Sequence, residues 1–402
     1  MNPVIIIGNG IAAVSAAEVF REHDKNTPVI IISGEPYYAY YRLRLSDLLG
    51  KTPDLDKLYI HKPEWYRNLN IDVWLGHKAS EIDTKKQSVT LDNGKAVNFS
   101  KLLLANGSSA FIPPVPGTDI PGVFSIRSLD DVNNFNKFIN DRTRGIVIGG
   151  GLLGLEVAWS LANKGKNVCV VEGSPHILSK QVDQTASELL MALGKKAGIN
   201  FITQGRLSQI IGDKAVTSVQ LNDNQTISTE FVVFSTGVRS NIDIVKNTSI
   251  QSTRGVQVNE YMQTSVENIF AAGDIAEYKG QVYGIWPVAR EQGKTAGFNL
   301  AGKQIPYNEV IPSNYLKVFG VEIYSVGDLC KDDSSCSTIK KFDKEDNIYS
   351  VVFLRNNIPV GAVLFGDTKP AMKISKAIKS SIQIPDEIIQ KNSFEEFLKV
   401  LS

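Results

Sequence analysis

Cysteine is scarce: of 402 residues only Cys169, Cys330 and Cys336 carry thiols, and none precedes position 169. So few cysteines exclude a disulfide-built scaffold and make a reducing cytoplasm the expected compartment. Their spacing also lacks the Cys-x2-Cys pattern of zinc and thioredoxin-like motifs, so Cys330 and Cys336 in "CKDDSSC" read as incidental thiols, and Cys169 as core. The four histidines, at 23, 61, 77 and 176, show no ligand spacing, so no metal is expected. No apolar run approaches the roughly 18 residues of a membrane span. An apolar strand begins at Val4, so no signal peptide is expected. A formal net charge of +1 supplies no global field for nucleic acid or a membrane surface. Serine-nucleophile elbows are missing too.

What is present is a feature carried twice. "VIIIGNGIAA" (4–13) and, about 140 residues later, "GIVIGGGLLG" (145–154) each join a β-branched strand, a glycine turn and the start of an apolar helix. That separation is too long for a solenoid repeat and suits two dinucleotide-binding units. Strand candidates "VIIIS" (29–33) and "VCVVE" (168–172) follow at the right interval. Further strands are expected at 102–105, 219–221, 231–234 and 269–272, with a hairpin pairing 89–91 and 95–97. The proline-rich "FIPPVPGTDIPG" (111–122) and "STGVRSN" (235–241) mark breakpoints. Beyond about residue 313 the pattern becomes alternating strands, 348–354 and 358–365, then a lysine-bearing helix. The expected architecture is α/β. Two three-layered Rossmann-like dinucleotide-binding domains (1–112 with 238–312, and the inserted 113–237) precede a small α+β C-terminal domain, 313–402.

The chemistry of the glycines is specific. In Gly8-x-Gly10-x-x-Ala13 the first glycine permits the turn and the second lets a pyrophosphate reach the backbone. Small Ala13 then allows close helix–strand packing. Glu35 lies where a carboxylate accepts from a ribose hydroxyl. A bare strand–turn–helix remains the plain alternative for one such turn alone. Gly149-x-Gly151-Leu152-Leu153-Gly154 fits the full pattern, and Glu172 follows at the offset that binds a ribose 2′-hydroxyl and repels a 2′-phosphate. With Lys180 the nearest cation in "GSPHILSK", NADH is favoured over NADPH; a solvated strand end is the alternative for Glu172.

Two nucleotide units in this order resemble the FAD-dependent pyridine-nucleotide oxidoreductase family over essentially the whole chain. "KLLLANGSSAFIPPVPG" (101–117), with Asn106 and Gly107, is similar to that family's first Ala-Thr-Gly segment. "FSTGVRSN" (234–241), with Gly237, is similar to its second. "TSVENIFAAGDIAE" (264–277) resembles its second FAD motif, which implies that Gly273 and Asp274 meet the flavin's ribityl chain. Ala79 is also expected along the FAD. "WPVAREQGKTAGFNLAG" (286–302) resembles the helix whose N-terminal amides face the flavin pyrimidine, or else is a plain amphipathic helix. By the same resemblance the cofactors are FAD and NADH.

The family's disulfide reductases carry cysteines in the early first domain. Here that place holds "YYAYYRLRLSDLLG" (37–50), without a thiol for a dithiol relay. "YYRLRLS" instead resembles the corresponding segment of rubredoxin- and ferredoxin-reductase members, with Leu43 for proline and Asp47 where many ferredoxin reductases have lysine. Arg42 is expected at the FAD pyrophosphate or the flavin's polar edge, the tyrosines as pocket walls, and Arg44 as solvated. Glu156 is placed near the nicotinamide. The implied reaction is hydride transfer from NADH to FAD, then single-electron delivery to a small redox protein such as rubredoxin. Alternatives are an NADH oxidase or nitrite-reductase flavin module, and a flavoprotein whose redox state regulates a bound partner. Lys369, Lys373, Lys376 and Lys379 would share one helix side, either as a dock for an acidic protein or as a solvated face. Oligomeric state is left open.

Overall fold

The computed structural model describes residues 1–331 and 333–401; Asp332 and Ser402, within the 330–336 segment and the expected 313–402 domain, lie outside the described residues. The chain divides into two compact units, Met1–Arg44 with Pro53–Ser109 and Gly237–Val310, and Leu45–Thr52 with Ala110–Thr236 and Ile311 onward.

In the first unit, Val4–Ile7 sits mid-sheet, flanked in parallel register by Val29–Ser33 and Lys101–Leu104. Ile71–Leu75 and Ile269–Ala271 complete a five-stranded sheet. The central strand is buried on both faces, which its unbroken Val-Ile-Ile-Ile run requires. One face carries the helices Ile11–His23 and Trp286–Leu300. Their backbones pack closely because Gly293 and Gly297 face Ala12 and Ala16: a Cβ at either glycine would lie 2.3 or 2.5 Å from the opposing carbonyl oxygen. Opposite lies an antiparallel sheet of Ala79–Asp83, Ser88–Leu91 and Ala96–Asn98, whose Val89 and Leu91 pack with Ile5, Ile7 and Ile32. Thus the expected hairpin forms, with Val89 opposite Val97.

The second unit repeats the plan. Arg144–Ile148 lies between Asn167–Glu172 and Phe231–Phe234 in a five-stranded parallel sheet. Its helix Leu152–Ala162 follows the second glycine turn. From Ile311 the chain builds a five-stranded antiparallel sheet containing Ile348–Arg355 and Ile358–Phe365, backed by the helix Ala371–Lys379. This sheet joins the nucleotide-type layer through Tyr349, whose hydroxyl donates to Asp183 Oδ2 at 2.5 Å, and through Phe319, edge-on to Trp159 and Phe201. Residues 45–52 belong here as well. Asn136 holds them, accepting from Gly50 N–H (2.7 Å) and donating to the Leu48 and Lys51 carbonyls (3.0 and 2.9 Å).

One expectation is overturned. Cys330 and Cys336 are not free thiols but are joined in a disulfide, their Cα atoms 6.2 Å apart. Asp328 and Asp333 fold the loop locally by accepting the backbone N–H groups of Cys330 and Ser335, which brings the two sulfurs together. No helix among the described residues is long and apolar enough to cross a membrane.

Candidate functional site

Each glycine turn separates a crowded position from an open one. Gly8 has φ +103°, and a Cβ there would sit 2.2 Å from the Ala105 carbonyl oxygen. Gly10, the residue before the helix, has no protein atom within 4 Å of a Cβ position and an ordinary extended backbone, φ −102°. Gly149 (φ +110°) would strike the Ser235 carbonyl oxygen at 2.3 Å and Gly154 that of Gly149 at 2.0 Å, whereas Gly151 faces open space. The pattern separates the roles: Gly8 and Gly149 make the turns, Gly154 lets its helix close onto the Gly149 carbonyl, and Gly10 and Gly151 leave room beside a helix N-terminus for a phosphate. Neither Gly10 nor Gly151 caps its helix through a side chain, and neither helix has an acidic residue in its first turn. Ala13 is fully buried, and Leu152 and Leu153 form the first positions of their helix.

Around the first turn, Glu35 and Arg42 come together. Arg42 ion-pairs with Glu35 Oε1, Tyr40 O–H donates to Glu35 Oε2 at 2.6 Å, and Arg42 Nη1 donates to the Tyr40 oxygen at 2.9 Å. The carboxylate is therefore fixed by the arginine that the sequence assigned separately to the cofactor. Tyr41 stacks on Trp286, the first residue of the Trp286–Leu300 helix, with centroids 6.4 Å apart and planes 24° apart. Tyr38 packs against Tyr59 and Tyr66. Arg44 is exposed and donates to the Lys57 carbonyl. Ala79 is buried in the antiparallel layer beside Leu91, so its methyl serves the core.

Asp274 is held from two sides. Ser108 O–H donates to its carboxylate at 2.8 Å, and Ser240 O–H donates to its carbonyl at 2.6 Å. Asn106 and Asn241 exchange side-chain-to-carbonyl hydrogen bonds of 2.9 and 2.8 Å, linking the two Ala-Thr-Gly-like segments beside Gly107 and Gly237, both at positive φ. Gln292 accepts from Gly273 N–H at 2.9 Å. Two buried polar atoms here, Asn106 Oδ1 and Gln292 Nε2, have no hydrogen-bond partner among the described residues. The sequence assigned no role to Ser108, Ser240, Asn241 or Gln292. Three of them lie inside the two quoted glycine segments, which was the available signal.

In the second unit Glu172 Oε2 accepts from Gly150 N–H and Oε1 from Ser174 N–H, both at 2.7 Å. The carboxylate thus pins the turn as well as marking the strand end. Glu156, one turn into the Leu152–Ala162 helix, receives a hydrogen bond from Ser46 Oγ at 3.2 Å. Burial first, and the neighbouring Asp47 charge second, push its carboxyl up to about 7 despite the Ser46 bond. Unfolded, it ionises near 4.5, so between 4.5 and 7 the folded chain binds more protons than the unfolded one. Stability should therefore fall as pH rises through this window, by up to about 3 kcal/mol if no other group compensates. Glu156→Gln should flatten that stretch of the curve in denaturant titrations at pH 5 and 8; an unchanged slope would remove Glu156 as its source.

Two nucleotide turns, a clamped Gly-Asp at a strand end and a thiol-free first unit define an FAD- and pyridine-nucleotide-dependent oxidoreductase. The chain belongs to the pyridine nucleotide-disulphide oxidoreductase family, whose model matches residues 2–293, and residues 312–382 match the rubredoxin NAD+ reductase C-terminal domain. A nitrite reductase [NAD(P)H] of Bacillus subtilis is 34% identical over 385 residues, 95% of this chain. The chain spans about half, 48%, of that relative's length. The NADH-rubredoxin oxidoreductase of Clostridium acetobutylicum is 33% identical over 378 residues, 94% of each chain. A crystal structure of NADH:rubredoxin oxidoreductase from that organism aligns with a TM-score of 0.83 at 31% identity over 99% of both chains. A ferredoxin reductase from Rhodopseudomonas palustris shares the fold, with a TM-score of 0.91 at 23% identity over 100% of this chain and 99% of that one.

Family membership carries FAD and NADH as the cofactors. The residues fit both. Open space at Gly10 and Gly151 and the orphaned atoms of Asn106 and Gln292 are what bound nucleotides would fill and satisfy.

Proposed function

We propose that the chain is a cytoplasmic NADH:acceptor oxidoreductase that delivers electrons to a small redox protein of the rubredoxin type. The carrying observation is where sulfur is missing: all three cysteines fall in the second unit, and the first unit, with the Gly8–Gly10 turn and Asp274, has none. A thiol-free flavin unit has no group to relay electrons to a disulfide substrate.

Bound FAD would supply a hydride acceptor that can also release electrons one at a time. The protein's own residues bind and orient. Gly8, Gly10, Ala13, Asn106, Gly107, Gly237, Gly273 and Asp274 would hold FAD, with Glu35 and Arg42 as a preorganised pair at its edge. Gly149, Gly151, Leu152, Leu153 and Gly154 would receive the NADH pyrophosphate, Glu172 the adenosine ribose. Glu156 would sit near the nicotinamide, where a carboxyl that keeps its proton up to about pH 7 adds little charge. Residues 1–112 with 238–312 would form the FAD domain and 113–237 the NADH domain.

The acceptor surface would be the lysine face. Lys369, Lys373, Lys376 and Lys379 are all exposed, and Met372 beside them is 86% exposed. Exposed lysines around an apolar side chain suit an acidic partner that docks transiently. NADH turnover should be fastest with rubredoxin, compared with ferredoxin under anaerobic conditions and with oxygen alone in an aerated assay. The Lys373→Glu/Lys376→Glu/Lys379→Glu variant should raise the KM for rubredoxin about tenfold at low salt, with unchanged flavin reduction by NADH. Equal rates with every acceptor, or no effect of the reversal, would set this reading aside. A second reading, a flavin module serving a nitrite-reductase-type partner, is favoured by the 34% identity to a protein twice as long. It predicts negligible turnover with rubredoxin.

A further inference from the structure

The Cys330–Cys336 disulfide lies in the loop between the strands Val321–Gly327 and Ser337–Asp343, and both cysteines are half-buried rather than sealed in a core. As a staple it contributes less than a bond closing a long loop would. It closes a loop six residues in separation, and the entropy removed from an unfolded chain shrinks with loop length.

Its surroundings point instead to reactivity. Arg355, ending the strand Ile348–Arg355, donates from Nε to Asp333 Oδ2 (3.0 Å) and from Nη2 to Asp328 Oδ2 (2.9 Å). The same Nη2 lies 3.9 Å from Cys330 Sγ. The Asp333 carboxylate lies 3.6 Å from Cys336 Sγ. One sulfur therefore faces a cation and the other an anion. A cavity of about 490 Å³ lined by Lys180, Leu329, Cys330, Lys331, Asp333 and Arg355, among others, opens at the Cys330 side. Cys330, Asp333 and Cys336 also have the clustering of a cation site, but both sulfurs are committed to the disulfide and Asp333 already pairs with Arg355.

We propose that Cys330–Cys336 is a thiol–disulfide exchange site, opened by dithiol reductants that reach it through this cavity, with Arg355 stabilising the Cys330 thiolate. An incoming thiolate bonds to Cys330 Sγ, the sulfur that lines the cavity, and the S–S electron pair leaves on Cys336, which takes a proton from solvent. The reductant's second thiolate then attacks its own sulfur in the mixed disulfide and displaces Cys330 beside the guanidinium, where a stabilised thiolate departs faster. The reductant ends as a disulfide and the protein as a dithiol, with two electrons and two protons transferred. The assignment is independent of the electron acceptor. It also suits a cytoplasmic chain, where protein disulfides are usually transient.

The test is alkylation by iodoacetamide of the folded holoprotein, read by peptide mass, with and without dithiothreitol. Cys169 is an internal control: it is half-buried within its strand, and burial pushes its thiol up to about 11. Without reductant, Cys330 and Cys336 should stay unlabelled; with it, both should label while Cys169 stays slow. In the reduced protein, Arg355→Met should slow Cys330 alkylation at pH 7 about tenfold, and Arg355→Lys should retain most of the rate. Labelling of both cysteines before reduction, or a bond that survives excess dithiothreitol until the protein unfolds, would overturn the proposal. So would an unchanged rate in Arg355→Met.

Discussion

Gly10→Val should yield a folded protein that does not retain FAD. The backbone at Gly10 is extended, φ −102° and ψ −171°, a conformation a β-branched residue adopts without strain. No protein atom lies within 4 Å of the new Cβ, so the apoprotein has nothing to displace. Only the open space proposed to receive a pyrophosphate is filled. Forced overlap of about 3 kcal/mol weakens a ligand about a hundredfold, enough to lose FAD on purification. Gly8→Val provides the contrast. There φ is +103° and the Ala105 carbonyl is 2.2 Å from the Cβ position, so the turn itself breaks and soluble yield should collapse. The check is the ratio of visible flavin absorbance to protein absorbance, beside a thermal melt of the apoprotein. Full FAD occupancy in Gly10→Val would mean that the first turn holds no phosphate.

Gly151→Val should separate the two nucleotides. Gly151 is likewise extended, φ −80° and ψ −177°, with an empty Cβ position. The variant should purify with its flavin, be reduced normally by dithionite, and lose about a hundredfold in kcat/KM for NADH by the same overlap. A Gly154→Val control should fail as a fold, because its Cβ would lie 2.0 Å from the Gly149 carbonyl oxygen. Loss of flavin from Gly151→Val would contradict the assignment of this turn to NADH.

Much of this was legible because it is local. A strand, a glycine turn and a helix declare themselves within a dozen residues, and both turns form where "VIIIGNGIAA" and "GIVIGGGLLG" place them. The Asp92–Asn93–Gly94 turn similarly announced its hairpin. What stayed hidden depends on partners distant in sequence. Nothing in "LSDLLGKT" signals that Asn136 will bind its backbone from 85 to 88 residues away and draw the segment into the second unit. The Ser108 bond to Asp274 spans 166 residues, and a lone serine carries no pattern. Glu35 and Arg42 could each be assigned a cofactor contact, but only the fold shows that they neutralise one another. Cys330 and Cys336 looked incidental because six-residue spacing matches no motif; two aspartates folding the intervening loop make the bond.

The stretch "YYAYYRLRLSDLLG" shows both sides. Its missing thiol could be read directly. Its division could not: Tyr37–Arg44 stays with the first unit, and from Leu45 the chain belongs to the second, where Ser46 reaches Glu156.

The central claim is that this chain binds FAD and accepts a hydride from NADH without a thiol intermediary. Anaerobic stopped-flow mixing of the purified flavoprotein with NADH, followed at the flavin's visible band, tests it most directly. Complete bleaching in a rapid phase is expected, with no long-wavelength thiolate-to-flavin charge-transfer band and at least a hundredfold preference over NADPH, on the order expected when Glu172 faces a 2′-phosphate. A flavin band that NADH never bleaches would contradict it.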